Sequence, residues 1–206
     1  MSTLAKRPIG HHHGDLRNAL VLAAVDLVTE RGPHGFTFAD ASRHAGVSVA
    51  APYKHFADRE ALLAALAVTG YEEQRRRFAE AVAAATDPAD QLAAFASAYV
   101  RFAVERRPLF QVMFSAGLSK DRYPELAEAA DGVLEVLREP AEALRSSAKE
   151  AVNLMHVVAA SAHGFAGFLL EGVFGDIAQA AVVDSTCAQA AAASRAVVGP
   201  ASLRLW

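Results

Sequence analysis

Helix start and stop signals divide this sequence almost from end to end, and between them apolar residues recur at helical spacing with no strand-like alternation. Asp15 reads as the cap of a first helix, in which Leu16, Leu20, Ala23, Ala24 and Leu27 form one face until RGPHG ends it. Thr37 with Asp40 has the pattern of a capping box for a short helix through Ala45, with Gly46 as the turn that follows. Ser48 is expected to cap a third helix of about two turns ending near Phe56, and Asp58 a fourth that runs into the 80s. Asp87-Pro88 supplies a cap and a first-turn proline for the next helix, RRPLF starts a short one, and YPEL starts another towards Ser146 with a bend at Pro140. Ser147 and Glu150 form a second box before a long apolar helix through Leu170, GVFGD breaks it, and an alanine-rich helix follows over about 176–197. The class is all-α with about nine helices and no internal repeat. An N-terminal three-helix domain over 1–65, with 1–14 as an arm, is expected to precede a larger helical domain over 66–206.

Composition limits what such a chain does. Hydrophobic residues make up 53% of it, and one cysteine, Cys187, excludes an internal disulfide framework. Neither a membrane span nor a signal peptide is read, so the expectation is a cytoplasmic protein without a membrane partner. The formal net charge is −3. Residues 1–60 carry seven Lys/Arg against six Asp/Glu and six of the eight histidines, leaving thirteen against seventeen in the remainder. That excess is far below the usual charge of a nucleic-acid domain, so any such role depends on where a few cations and hydroxyls are placed.

The stretch FTFADASRHAGVSVAAPYKHFADREALL resembles the N-terminal domain of the TetR family of bacterial transcriptional regulators: a threonine before a helix, then AGVS, Y-x-H-F, and a capped helix with Arg-Glu-x-Leu. The likeness spans about 50 residues, from His12 to Leu63. HHHGDLRNAL resembles the lead-in of one branch, so His11–His13 read as native. RPLFQVMFS and SAHGFAGFLLEG resemble the regulatory domain of the branch named for a Trp-His-Gly motif; His163-Gly164 are present and the tryptophan is not. The resemblance implies a ligand-responsive regulator, a repressor or alternatively an activator, that binds a near-palindromic double-stranded DNA operator as a homodimer, without a cofactor and without enzymatic activity.

The residues fit such docking. Behind a Ser48 cap, Pro52 and Phe56 face inward while Ala50, Tyr53 and Lys54 share the exposed face. Tyr53, His55, Thr37 and Arg59 suit phosphate oxygens, Lys54 suits guanine, and Ala50 or Ala51 suits a thymine methyl. Pro52 removes one early amide and disfavours helical geometry at Ala51, which predicts a tighter or shifted first turn.

In the larger domain, Phe95, Tyr99 and Phe102, then Phe110, Met113 and Phe114, then Met155 and Phe168 form the expected wall of a cavity for a mostly apolar small effector. His156 and His163 are its expected polar groups. Ala160, Gly164 and Gly167, with Ala180, Ala181, Ala188 and Ala191, form small-residue seams expected at the dimer interface. No ligand set for a metal is read. The competing classes are a helical enzyme and a ligand-binding scaffold without a DNA role. For the first, Ser146-Ser-Ala-Lys149 matches S-x-x-K without its partner motifs, and Cys187 has no histidine near it in sequence. The second leaves Tyr53, His55 and Arg59 without a purpose.

Overall fold

Side-chain caps set the starts of four of the described helices. In the computed structural model, which describes residues 13–199, α1 spans His13–Arg31, α2 Phe38–His44, α3 Arg59–Ala83, α4 Pro88–Glu105 and α5 Arg107–Ser115. They are followed by α6 at Pro124–Glu135, α7 at Arg138–Leu144, α8 at Ala148–Leu170 and α9 at Ala180–Val198, with no strand among the described residues. Asp58 accepts from the Ala61 amide, Asp87 from those of Ala89 and Asp90, and Ser147 from that of Glu150, so each satisfies donors that the first helical turn leaves unpaired.

The box at α2 is complete. The Asp40 carboxylate accepts from the Thr37 amide at 2.7 Å and from its hydroxyl at 2.6 Å, while the Asp40 amide donates to the Thr37 hydroxyl oxygen at 3.1 Å. The Thr37 hydroxyl, then the Thr37 amide and the Arg43 guanidinium, lower the Asp40 pKa to about 2. In an unfolded chain the same group titrates near ~3.9. The folded value is the depressed one, so the stabilisation is present above the unfolded value and is lost as pH falls through about 2. A carbon-detected NMR titration is expected to place the Asp40 midpoint near 2. A midpoint near the unfolded value would mean that the box is open in solution.

Four expectations about the elements are corrected. Ser48 does not cap a two-turn helix: residues 48–51 form a turn, and only Pro52–Lys54 follow as a single 3-10 turn with no side-chain cap. Pro52 has no amide to donate to the Ser48 carbonyl, which instead accepts from Ala51 three residues on, at 3.0 Å. The break after YPEL comes at Val136–Leu137 rather than at Pro140, which sits buried in the first turn of α7, where a missing amide costs nothing. The last helix starts at Ala180, because residues 176–179 close a turn in which Asp176 accepts from the Ala178 and Gln179 amides. α1 begins before Asp15, which therefore stands inside the helix; His11 and His12 lie outside the described residues.

The helices pack as one bundle with α4 in the middle, against α3, α5, α7, α8 and α9. Phe78 of α3 and Phe95 and Phe102 of α4 are fully buried, and Tyr99 is nearly so. The boundary expected at residue 65 falls inside α3, which packs on α1 as well as on α4, α5 and α6 and buries Leu62, Leu63 and Leu66 in its first half and Phe78 in its second. α8 is the one described helix with the length and apolar composition to cross a membrane, and a third of that stretch is buried in the bundle.

Candidate nucleic-acid interface and effector pocket

The chain leaves α2 through a glycine turn. Gly46 adopts φ +70°, and the Val47 amide reaches back to the Ser42 carbonyl at 3.0 Å while the Gly46 amide reaches that of Arg43 at 3.1 Å. This is the two-bond cap that a left-handed residue makes possible. The turn hands the chain to Pro52–Lys54, with Pro52 and Phe56 buried and Val49, Ala50, Tyr53 and Lys54 exposed. Tyr53 is 60% exposed, and its ring stands edge-on to Phe38 with centroids 5.0 Å apart, so the hydroxyl is held outward on a fixed ring.

The other expected DNA residues are placed as follows. Ser48 is exposed, Ala51 is half-buried, and His55 closes the 3-10 turn, its amide donating to the Pro52 carbonyl at 2.8 Å. Thr37 is exposed, with its hydroxyl engaged by Asp40. Arg59 is directed differently from the expectation: its guanidinium lies over the Phe36 ring at 4.6 Å, and Nε and Nη2 are shielded from water without a hydrogen-bond partner. Burial lowers its pKa. Nearby basic groups are engaged by acids, the Arg43 guanidinium by Asp40 and the His44 ring by Asp26, and Lys54 is the cation of the exposed turn.

Between α3, α4, α5, α6 and α8 lies a cavity of about 300 Å³. Of the residues expected to line it, Phe95, Tyr99, Phe114 and His163 do so. Tyr99 Oη and His163 Nδ1 are hydrogen-bonded at 2.9 Å, and the His163 ring stacks on Phe110 at 5.5 Å and meets Phe114 edge-on at 4.7 Å. Burial pushes the Tyr99 phenol up, with the neighbouring Tyr71 adding to it, and pushes His163 down. His163 is therefore neutral at neutral pH.

Phe110 faces a second groove of about 320 Å³, which shares the Phe114–His163 wall and is flanked by Arg107 and Glu171. The structure does not bring the remaining expected residues to the cavity. Phe102 and Met155 are core, and Met113 packs where α5 crosses Gly70, so close that a Cβ there would lie 2.5 Å from the sulfur. His156 and Phe168 are exposed on α8. His156 shares a helical stripe with His163, but the rings of α5 cover the stripe only at His163.

The lining also includes residues that were not expected, among them Tyr71, Gln74, Lys120 and Leu134. Gln74 is 1% exposed, and its Nε2 makes no hydrogen bond of full geometry, approaching only the Tyr99 phenol, whose pKa it lowers against the rise from burial. The signal for it was present in the sequence, since a glutamine between Tyr71 and Phe78 at helical spacing is a polar group on an apolar stripe. Lys120 lies in the segment between α5 and α6, and the same region touches the N-terminal helices. The Arg122 guanidinium donates to Asp58, the cap of α3, at 2.6 Å and to Glu60, while His34 Nε2 is 3.0 Å from the Ser115 carbonyl.

Apolar groups are exposed on the outer side of α8, in the turn after it and along α9, beside the exposed Asp184, Ser185 and Arg195. Val157, Phe168, Val173 and Phe174 are exposed, as are Ala160, Ala181 and Ala188, and a Cβ at Gly164 or Gly167 would meet nothing within 4 Å. Among the described residues no group of His, Cys, Asp and Glu could hold a metal ion.

Known proteins share these parts. Residues 20–66 match the family described as bacterial regulatory proteins, tetR family, and residues 92–197 match the tetracyclin repressor-like C-terminal domain. No curated protein matches the chain. A solved structure of a protein of unknown function from Rhodococcus sp. RHA1 is 29% identical with a TM-score of 0.73, covering 95% of this chain and 100% of that one. The TetR family transcriptional regulator PfmR from Thermus thermophilus is 18% identical with a TM-score of 0.66, covering 86% and 97%. The transcriptional regulator FadR from Bacillus subtilis, solved in complex with stearoyl-CoA, is 16% identical with a TM-score of 0.66, covering 84% and 97%. With the glycine turn and its exposed tyrosine at one end of α3, a helical C-terminal half at the other, and both halves matched, the chain belongs to the TetR family and is a DNA-binding transcriptional regulator rather than an enzyme.

Proposed function

We propose that the protein is a repressor that clamps a near-palindromic operator as a homodimer and is released when a mostly apolar small molecule occupies the cavity beside His163. The observation that carries this reading is the course of α3. Its first turn adjoins the exposed turn of Tyr53 and Lys54, and its buried face reaches the cavity at Tyr71 and Gln74. A ligand that changes how α5 and α6 pack on α3 therefore acts on the element that carries the reading turn. Arg122 supplies a second connection, because it ties the segment beside the cavity to the cap of the same helix. An effector that binds the DNA-incompetent arrangement better by about 1.4 kcal/mol weakens operator binding tenfold. The FadR complex with stearoyl-CoA supports an effector with an apolar part.

In this reading Tyr53, His55 and Thr37 contact phosphates and Lys54 contacts a base edge. Arg59 joins them only if its guanidinium leaves Phe36; as placed, it braces the first turn of α3. The test is His163→Phe, which keeps a ring against Phe110 and Phe114 and removes the bond to Tyr99. Operator binding is expected to be retained, with release by an effector lost or shifted. Release at the parent's effector concentration would remove His163 from the site.

The homodimer is assigned to the outer side of α8 and α9. Open space at Gly164 and Gly167, together with the exposed Phe168, is the arrangement that a second copy would cover in a four-helix contact. The Cβ that Gly164→Leu adds meets no neighbouring atom of its own subunit within 4 Å, so the substitution is aimed at a partner. It is expected to shift sedimentation to monomer without lowering helix content. A variant that stays dimeric would place the interface elsewhere.

A further inference from the structure

The cavity's polar lining is lopsided, and that identifies the chemistry of its guest. Gln74 is 1% exposed, and its amide nitrogen makes no hydrogen bond of full geometry, only an approach to the Tyr99 phenol that lowers the phenol's pKa, although buried polar atoms are almost always paired. An amide left that way loses its hydration with little in return, and an oxygen placed in the cavity would supply a full bond. Tyr99 is held by His163 across 2.9 Å, and its approach to the Gln74 amide falls short of a full hydrogen bond, so that amide remains able to donate to a guest's oxygen. Among the described residues, Lys120 is the one lining group that carries a charge at neutral pH, and no carboxylate lines the cavity. Apart from the Tyr71 phenol the remaining wall is apolar, with Phe95, Phe114, Val133 and Leu134 contributing rings and branched chains. At about 300 Å³ the space stands at the small end of ligand pockets, which suits a compact molecule over a long chain.

We infer that the cavity takes a compact apolar carboxylic acid, bound as its anion, with the Lys120 ammonium and the Gln74 amide donating to its oxygens and the hydrocarbon body against the aromatic wall. The assignment rests on the cavity being the effector site. It also gives the charge a use: Lys120 stands two residues before Arg122, which holds Asp58 and Glu60. An anion that draws Lys120 inward pulls on the segment that grips the start of α3. An uncharged molecule of the same shape fills the wall without that pull.

The experiment is a calorimetric titration of the full chain with benzoate, phenylacetate and hexanoate, each beside its primary amide. The parent is compared with Lys120→Met, Lys120→Arg, Gln74→Leu and Ala159→Leu. At least one acid is expected to bind about tenfold or more tightly than its amide, because a charge-assisted bond is the stronger one. Lys120→Met should abolish that difference and Lys120→Arg restore most of it. Gln74→Leu should weaken acid and amide alike, with Gln74→Met as the second variant if the first does not fold. Ala159→Leu should exclude both by filling the wall. Binding by none of the three acids overturns the inference, as does an acid that binds no better than its amide or binds Lys120→Met and Gln74→Leu as it binds the parent. Adding operator DNA separates this inference from the reading beneath it. An acid that binds with the expected variant pattern but does not release DNA sustains the ligand class and removes the sensor role. Acids and amides that bind equally and both release DNA sustain the sensor role and remove the class.

Discussion

Phe78→Ala is expected to lower the free energy of unfolding by about 3–5 kcal/mol, the cost of deleting a fully buried ring and leaving a cavity behind. Phe78 has no exposed surface and is the centre of an aromatic cluster, with ring centroids 4.8 Å from Phe95, 5.5 Å from Tyr99 and 6.2 Å from Phe102. It joins α3 to α4 at the level where Phe95 and Tyr99 form the inner wall of the effector cavity. A domain is stable by only about 5–15 kcal/mol, so the loss takes a large share of the total. Urea denaturation should show a lower midpoint at an unchanged slope. A loss under about 1 kcal/mol would mean that the cluster repacks into the space, and that α3 and α4 are not held together where this account places their main contact.

Lys54→Ala is expected to weaken operator binding by about 1–3 kcal/mol in each half-site, and the loss is doubled when two subunits dock together. Lys54 is exposed in the turn that presents Tyr53, while Arg43 is paired with Asp40 and Arg59 is stacked on Phe36. Specificity should relax at one base of each half-site, with little effect on non-specific DNA. Tyr53→Phe keeps the ring seated on Phe38 and removes only the hydroxyl, so it should weaken binding to all duplexes alike. Arg59→Ala differs from both, because it removes a guanidinium stacked on Phe36; part of its effect belongs to the packing of α3. Fluorescence anisotropy on one duplex at several salt concentrations separates the three. Unchanged affinity in both Lys54→Ala and Tyr53→Phe would place the DNA contact on another surface.

What the sequence disclosed, and what it withheld, follows from the range of each interaction. Thr37, Asp58, Asp87 and Ser147 announce their helices because a cap acts within three residues of itself, and all four accept the expected amides. Pro52 signalled a disturbed first turn for the same reason, though a cap read from Ser48 still overstated the helix behind it. The cavity was half legible. Helical spacing identified Phe95 and Tyr99 as facing inward, but which inward residues meet a void and which meet each other depends on neighbours distant in sequence. Phe102 and Phe95 lie on one face of α4, and only Phe95 reaches the cavity. His156 and His163 show the same limit, since a seven-residue spacing states that they share a stripe and not where α5 covers it. Lys120 and Arg122 carried no periodic signal because they lie between helices; the partners of Arg122, Asp58 and Glu60, are more than 60 positions away.

Selection of duplexes from a random pool by the full chain, followed by sequencing of the bound fraction, tests the central claim most directly. A two-fold dimer with its reading turns facing the same side of the duplex should enrich one near-palindromic sequence, with half-sites separated by about one helical turn or a multiple of it. The same chain carrying Lys54→Ala should enrich that sequence with one position of each half-site degenerate. A pool that emerges without an enriched sequence, or with one that has no two-fold relation, would contradict the account.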